Sequence, residues 1–274
     1  MPRRTVNGVE LYYELHGPEN ADLLVLSNGI LMSTGSWAYQ LPVLSRFLRV
    51  LLYDCRGMWQ SAHPAGPYTM EQHADDLAAL LDTLNIAQAH IGGISYGGEI
   101  SLAFALRHSD RVKSLVVASA VAAVDAEMRE RTLSWWQAAQ AGDPEALYQA
   151  TYPLNFSSAW AAANQPLLQS ARARYQKLDM SAFLELMGAF SRLDLLDDLS
   201  KITQPTLVMV GEQDILKPPK YSRAIAARIP NAEFVLVPDA GHAVSWEKPG
   251  VFNSVLLGFV LKHARSFEHP QAAD

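Results

Sequence analysis

A serine, an aspartate and a histidine, far apart in the sequence, could together perform nucleophilic catalysis. Ser95 lies in a Gly-Ile-Ser-Tyr-Gly segment, with Gly93 two residues before it and Gly97 two residues after it. An apolar run precedes this segment and an amphipathic run follows it. The pattern predicts a sharp turn from a strand into a helix, which would expose the serine hydroxyl.

A serine hydroxyl is a weak nucleophile, so it needs a base, usually a histidine that a carboxylate orients. Asp214 follows an apolar run at residues 205–211, and His242 follows the next apolar run, in an Ala-Gly-His segment. The loops after parallel strands lie along one edge of a sheet, so Ser95, Asp214 and His242 can converge there. The order serine, acid, histidine is typical of this arrangement.

Other structures use glycine-rich turns between a strand and a helix, either for close packing or to bind phosphate. A phosphate loop would need a lysine or a second glycine pattern here, and the segment around Ser95 contains neither. The serine interpretation is therefore favoured.

Acyl transfer also requires hydrogen-bond donors for the oxyanion of the tetrahedral intermediate. The N–H of Tyr96, at the start of the predicted helix, is one candidate. The second is the N–H of Ile30, because Gly29 would let the loop after an early apolar run turn this group inward. A plain turn at Asn28 and Gly29 is the alternative.

Apolar and amphipathic segments alternate along most of the chain, which predicts an α/β fold with a mostly parallel central sheet and helices on both faces. Residues 5–16 predict a hairpin around Asn7 and Gly8. Residues 37–47, 70–84 and 249–265 predict helices, with Thr69 as the N-cap of the second. Residues 266–274 predict a frayed tail.

The alternation is interrupted at residues 121–198, which are rich in alanine, glutamine, leucine and aromatic side chains. We predict three or four helices that form a cap on a core made of residues 1–120 and 199–274. Ligand pockets are mostly apolar, so some cap side chains should contact the substrate. The candidate pocket residues are Asn28, Trp135, Trp136, Met187 and Phe190.

Composition excludes several other classes of protein. The 274 residues are 49% hydrophobic and 18% charged with a net charge of −6, which argues against nucleic-acid binding. The single cysteine, Cys55, allows no intrachain disulfide and no cysteine-based metal site. We expect no metal, no membrane span, no secretory signal and a cytoplasmic location, as either a monomer or a homodimer.

Several segments together resemble the α/β-hydrolase superfamily, and within it the small capped carboxylesterases and enol-lactonases, including the 3-oxoadipate enol-lactonase group. The resemblance implies hydrolysis of an ester or lactone without a cofactor. One departure is Trp59, which lies two residues after the Arg56-Gly57 pair. The family usually has a glycine at this position. The matching segments are residues 27–30, residues 53–57 with Ser61, residues 66–69, residues 93–98, residues 211–214 and residues 240–242.

The favoured hypothesis is a serine hydrolase of a lipophilic substrate, such as a p-nitrophenyl ester or an N-acyl homoserine lactone. A 3-oxoadipate enol-lactonase-like activity is an alternative that would need cationic side chains near the site. An acyltransferase, a perhydrolase and a non-catalytic ligand-binding receptor also remain open. The candidate cations are Arg56, Arg129, Arg131, Arg172, Arg174 and Arg192.

Overall fold

The fold is built on an eight-stranded sheet in a computed structural model that describes residues 2–264. The strands occur in the order β1-β2-β4-β3-β5-β6-β7-β8, with β1 and β2 antiparallel to their neighbours and all the other pairs parallel. This confirms the predicted α/β fold. The strands are β1 (Arg3–Val6), β2 (Val9–His16), β3 (Leu23–Ser27), β4 (Arg49–Tyr53), β5 (Ala89–Ile94), β6 (Val112–Ala118), β7 (Thr206–Gly211) and β8 (Glu233–Val237).

The central strands are buried on both faces, which explains their nearly continuous apolar sequences. Every residue of β3, β5 and β7 is buried. At the sheet edge, Asn7 and Gly8 join β1 to β2 with φ values of 47° and 76°. Both residues are therefore in the left-handed region that a two-residue hairpin turn requires.

Helices cover both faces of the sheet. Helices α2 (Met70–Thr83) and α3 (Tyr96–Arg107) belong to the larger apolar core, and α11 (Pro249–Lys262) belongs to the core on the other face. Thr69 Oγ1 accepts a hydrogen bond of 3.1 Å from Gln72 N, which confirms the predicted N-cap of α2. The remaining helices of the core are α1 (Leu41–Leu44), α9 (Pro219–Arg228) and α10 (Val244–Glu247).

The predicted helix over residues 37–47 is wrong. A 3₁₀ turn covers Thr34–Trp37, and α1 is only four residues long. Side-chain anchors explain this, because Trp37 Nε1 donates to Asn28 Oδ1 and Gln40 Nε2 donates to Ser245 O. Each buried anchor fixes a short turn against the core, so a continuous helix does not form. The predicted tail at residues 266–274 lies outside the described residues.

Five α-helices lie between β6 and β7, which corrects the prediction of three or four helices. Most of them begin at their own N-cap: Asp125, Asp143, Ser157 and Asp179 each accept a hydrogen bond from a backbone N–H two or three residues later. These caps divide the segment into more helices than its composition indicates. The helices are α4 (Ala126–Gln140), α5 (Pro144–Asn155), α6 (Ser158–Ala163), α7 (Gln165–Tyr175) and α8 (Met180–Ser191).

The boundaries of the cap at residues 121 and 198 stay a prediction.

Across residues 2–264, no helix is both long and apolar enough to cross a membrane.

Candidate active site

Ser95 lies between β5 and α3, at the turn that the glycine spacing predicts. Its φ of 56° and ψ of −123° place a non-glycine residue in a rarely populated backbone conformation. Space at the turn is minimal. A Cβ on Gly93 would lie 2.2 Å from Gly97 O, and a Cβ on Gly97 would lie 2.1 Å from Ser27 O. Only glycine fits at these two positions without a backbone shift.

Asp214 and His242 meet at the same edge of the sheet, after β7 and β8. His242 Nδ1 lies 2.8 Å from Asp214 Oδ2, and both side chains are buried. With Nδ1–H donating to this carboxylate, the Nε2 atom of His242 is the basic nitrogen. Ser95 and His242 line the same cavity. The three predicted residues are thus brought to one place, although they are far apart in the sequence.

A lysine that the sequence analysis missed also contacts Ser95. Lys217 Nζ lies 3.2 Å from Ser95 Oγ and donates to it, and among the described residues this is the hydrogen-bond partner of that oxygen. The backbone N–H of Lys217 donates to Asp214 Oδ1 over 2.8 Å. Its position three residues after the candidate acid was a signal that could have pointed to it. Hydrogen bonds between a nucleophile and its base are often longer in ligand-free structures and tighten when substrate binds.

The two predicted oxyanion donors lie beside Ser95. Tyr96 is the first residue of α3, where a backbone N–H has no acceptor within the helix. Gly29 and Ile30 line the cavity together with Ser95. A Cβ on Gly29 would lie 3.5 Å from Ser95 Cβ, so this loop passes directly over the serine.

Asn28 does not line the cavity, which corrects its prediction as a pocket residue. Its Nδ2 donates to Tyr53 O and to Asp54 Oδ1, both over 2.9 Å, and its Oδ1 accepts from Trp37 Nε1. The side chain therefore supports the loop that carries Ile30. Asp54 also accepts from Thr34 N, and burial raises the pKa of Asp54 to about 6.

Of the predicted cap residues, Trp135 lines the cavity with Ser95, whereas Trp136, Met187 and Phe190 line a separate cavity. The reason is helical geometry. Successive residues of a helix point about 100° apart, so Trp135 and Trp136 face different sides of α4. Met187 and Phe190 are three residues apart on α8, on one face of the helix, and they line the separate cavity together. The other apolar side chains along the Ser95 cavity are Ile30, Leu31, Met32, Trp59, Ile94, Phe156, Leu167, Leu168, Ala171, Tyr175, Leu178, Ala243 and Trp246.

One cation lies in this mostly apolar cavity. Arg174 lies over the Trp59 ring, 4.4 Å from its centroid, and its Nη2 donates to Ser33 Oγ over 3.0 Å. Burial lowers the pKa of Arg174. Trp59 has a φ of 41°, in the region where glycine is favoured. The residue that departs from the superfamily pattern therefore keeps a glycine-like backbone and supports the arginine.

The other five candidate arginines do not line this cavity. Arg56 forms a buried ion pair with Asp76 of α2. Arg172 pairs with Glu145 and Arg131 pairs with Glu127, both at the surface. Arg129 lines the separate cavity of Trp136, and Arg192 donates to Tyr68 O.

The fold and the site define a class of protein. A family model described as the alpha/beta hydrolase fold matches residues 22–249. The chain therefore belongs to the α/β-hydrolase family.

Individual relatives are similar over nearly the whole chain. RutD of Pantoea ananatis (strain LMG 20103), to which carbamate hydrolysis is ascribed, is 33% identical over 268 residues, covering 95% of each chain. The crystal structure of the enol-lactonase from Burkholderia xenovorans LB400 is 32% identical with a TM-score of 0.90, covering 95% of this chain and 100% of that one. Est816, described as an N-acyl homoserine lactone degrading enzyme, is 27% identical with a TM-score of 0.82, covering 94% of this chain and all of that one.

Proposed function

We propose that this protein is a serine hydrolase that cleaves a carboxylic ester or lactone through an acyl-enzyme. The observation that carries the proposal is the 2.8 Å contact between Asp214 and His242 at a cavity that Ser95 also lines. In this mechanism His242 Nε2 takes the proton of Ser95 as the oxygen attacks the carbonyl carbon. Asp214 holds the imidazole in the required tautomer and stabilises the imidazolium.

The tetrahedral intermediate carries a negative oxygen that needs fixed donors. The N–H groups of Tyr96 and Ile30 are the proposed donors, because one begins a helix beside Ser95 and the other lies on the loop above it. Collapse of the intermediate expels the alcohol, which takes the proton from His242. Water activated by His242 then hydrolyses the acyl-enzyme.

The apolar lining of the cavity, which includes Trp135, favours a lipophilic acyl group. The similarity to Est816 makes an N-acyl homoserine lactone a candidate substrate. Carbamates belong in the same test, because RutD relatives carry that activity in their name.

Arg174 favours a second candidate, a lactone or ester with an anionic group away from the scissile bond. Arginine presents five N–H donors, and one of them is used by Ser33. A guanidinium at the wall of an apolar cavity fits a carboxylate. The similarity to an enol-lactonase structure supports the same candidate.

Turnover of p-nitrophenyl esters, simple lactones, N-acyl homoserine lactones, carboxylate-bearing lactones and carbamates tests the proposal. We expect Ser95→Ala and His242→Ala to abolish turnover, and Asp214→Asn to reduce kcat by about 10⁴-fold. Ser170→Ala, which changes an exposed serine on α7, is the matched control. Full activity of the Ser95→Ala variant would refute the mechanism.

Product analysis separates the remaining alternatives. An acyltransferase or perhydrolase would form more acylated alcohol, thiol or peracid than free acid when the competing nucleophile is added. Stoichiometric binding without turnover across the whole panel would instead favour a receptor.

A further inference from the structure

Lys217 places a buried ammonium group directly against the oxygen of the proposed nucleophile. Lys217 is only 4% exposed, and its Nζ lies 3.2 Å from Ser95 Oγ. Lys217 is not a lining residue of the cavity that Ser95 and His242 share. The ammonium therefore reaches Oγ from within the protein, on the side away from the substrate.

A buried lysine keeps its proton only when it is paired, because burial penalises a charge. Here Glu99 provides the partner, with Oε1 2.5 Å from Lys217 Nζ. Glu99 is fully buried in the first turn of α3, one turn after Ser95, and Oε1 also accepts from Val121 N. Burial raises the pKa of Glu99, and the Lys217 ammonium and the Val121 N–H oppose this effect.

The remaining surroundings of Nζ are also suited to a cation. The Phe190 ring centroid lies 4.8 Å away, so the ammonium faces the electron-rich face of an aromatic ring. The backbone of Lys217 is fixed by its hydrogen bond to Asp214 Oδ1. The lysine is thus tied to both the nucleophile and the acid of the proposed triad.

We propose that Lys217 stabilises the negative charge that develops on Ser95 Oγ during catalysis. This inference rests on the proposed serine hydrolase function. A serine oxygen has one hydrogen and two lone pairs. Lys217 donates to one lone pair, which leaves the O–H hydrogen free to donate to His242.

The steps balance without any change in the charge of Lys217. During acylation, the O–H bond of Ser95 breaks, its proton moves to His242 Nε2, and Oγ forms a bond to the carbonyl carbon. During deacylation, the bond between Oγ and the acyl carbon breaks, and Oγ regains a proton from His242. In both steps negative charge develops on Oγ, and the Lys217 ammonium remains protonated beside it. Glu99 is a positioning residue, because it acts through Lys217.

The test uses variants that remove the charge pair without leaving one buried charge alone, since an unpaired buried carboxylate would destabilise the fold. The first is Lys217→Met with Glu99→Met, and the second is Lys217→Gln with Glu99→Gln, which retains a polar pair. Lys220→Met is the matched control, because Lys220 pairs with Glu127 at the surface. Rates of covalent labelling by a fluorophosphonate and of p-nitrophenyl acetate acylation and deacylation are measured from pH 5 to 9, together with thermal unfolding.

We expect both double variants of Lys217 and Glu99 to fold. They should react with the fluorophosphonate about 10- to 100-fold more slowly than the wild type, and they should also deacylate more slowly. In the plot of labelling rate against pH, the acid limb should stay at the same pH, because His242 is still the base. The plateau rate at higher pH should be lower than that of the wild type. Lys220→Met should match the wild type.

Three results would contradict the proposal, each in its own way. If a folded double variant of Lys217 and Glu99 were labelled at the wild-type rate, Lys217 would have only a packing role. The proposed function of Ser95 would be unaffected by that result. If His242→Ala retained labelling, and a folded protein that also carried Lys217→Met and Glu99→Met lost it, the lysine would be the base instead. Labelling of Ser95→Ala at the wild-type rate would overturn the proposed function itself.

Discussion

Glu247 and Ser157 form a buried hydrogen bond that connects the start of α6 to the loop of His242. Ser157 Oγ donates to Glu247 Oε2 over 2.5 Å, and Ser157 N also donates to this carboxylate. The same carboxylate accepts from Gly241 N over 3.0 Å. Ser157 begins α6, and Gly241 directly precedes His242. One carboxylate therefore fixes both the start of α6 and the loop that carries the proposed base.

We predict that Glu247→Gln destabilises the protein by about 1–3 kcal/mol and also lowers kcat/KM. An amide has one acceptor oxygen instead of two, so at least one of the buried donors loses its partner. Chemical denaturation and steady-state kinetics measure the two effects. Glu233→Gln is the control, because this residue forms an exposed pair with Lys262 and should change stability by less than about 1 kcal/mol. Equal stabilities of the two variants would show that the connection contributes little.

Two glycine substitutions should have opposite effects on stability. Gly97→Ala would place a Cβ 2.1 Å from the backbone oxygen of Ser27, so β3 or α3 must shift. We expect a loss of at least about 2 kcal/mol and of most activity. Gly258 is exposed in α11, where an added Cβ would meet no atom within 4 Å, and Gly258→Ala should stabilise by about 0.5–1 kcal/mol. Thermal unfolding of both variants checks the prediction, and a stable, active Gly97→Ala variant would disprove the steric argument.

We predict that the titration of Asp54 lowers the free energy of unfolding as the pH rises from about 4 to about 6. Burial raises its pKa from 3.8 to about 6, so between these values the folded protein retains a proton that the unfolded chain releases. This contribution to stability is therefore complete below pH 3.8 and is lost as the pH rises through 6. Relative to Asp54→Asn, which does not titrate, the wild type should lose about 2 kcal/mol between pH 4.5 and pH 7. Urea unfolding of both proteins across this range gives the difference, and a constant difference would be inconsistent with the raised pKa.

Arg174 should distinguish anionic from neutral substrates. We predict that Arg174→Met lowers kcat/KM for a carboxylate-bearing lactone or ester by about 10- to 100-fold, because a charged hydrogen bond contributes about 1.5–3 kcal/mol. Neutral esters of the same size should change by less than about threefold. Arg172→Met is the control on the same helix, because Arg172 pairs with Glu145 outside the cavity. A parallel loss for both substrate types would indicate that Arg174 only shapes the cavity.

The sequence by itself predicted the fold class, the turn at Ser95 and the meeting of Asp214 with His242. These features depend on local patterns: glycine spacing at the turn, apolar strands of β-strand length and the order of the loops along one sheet edge. Local chemistry also determined the Asn7 hairpin and the Thr69 cap.

Only the tertiary structure decided which side chains face Ser95. Trp135 and Trp136 are neighbours in the sequence, but the packing of α4 turns one toward the cavity and the other away from it. The pairing of Lys217 with Glu99 and the placement of Arg174 over Trp59 each join segments that no periodicity relates. Local patterns determine where helices and strands form, whereas the direction in which a side chain points into a cavity depends on how those elements pack against each other.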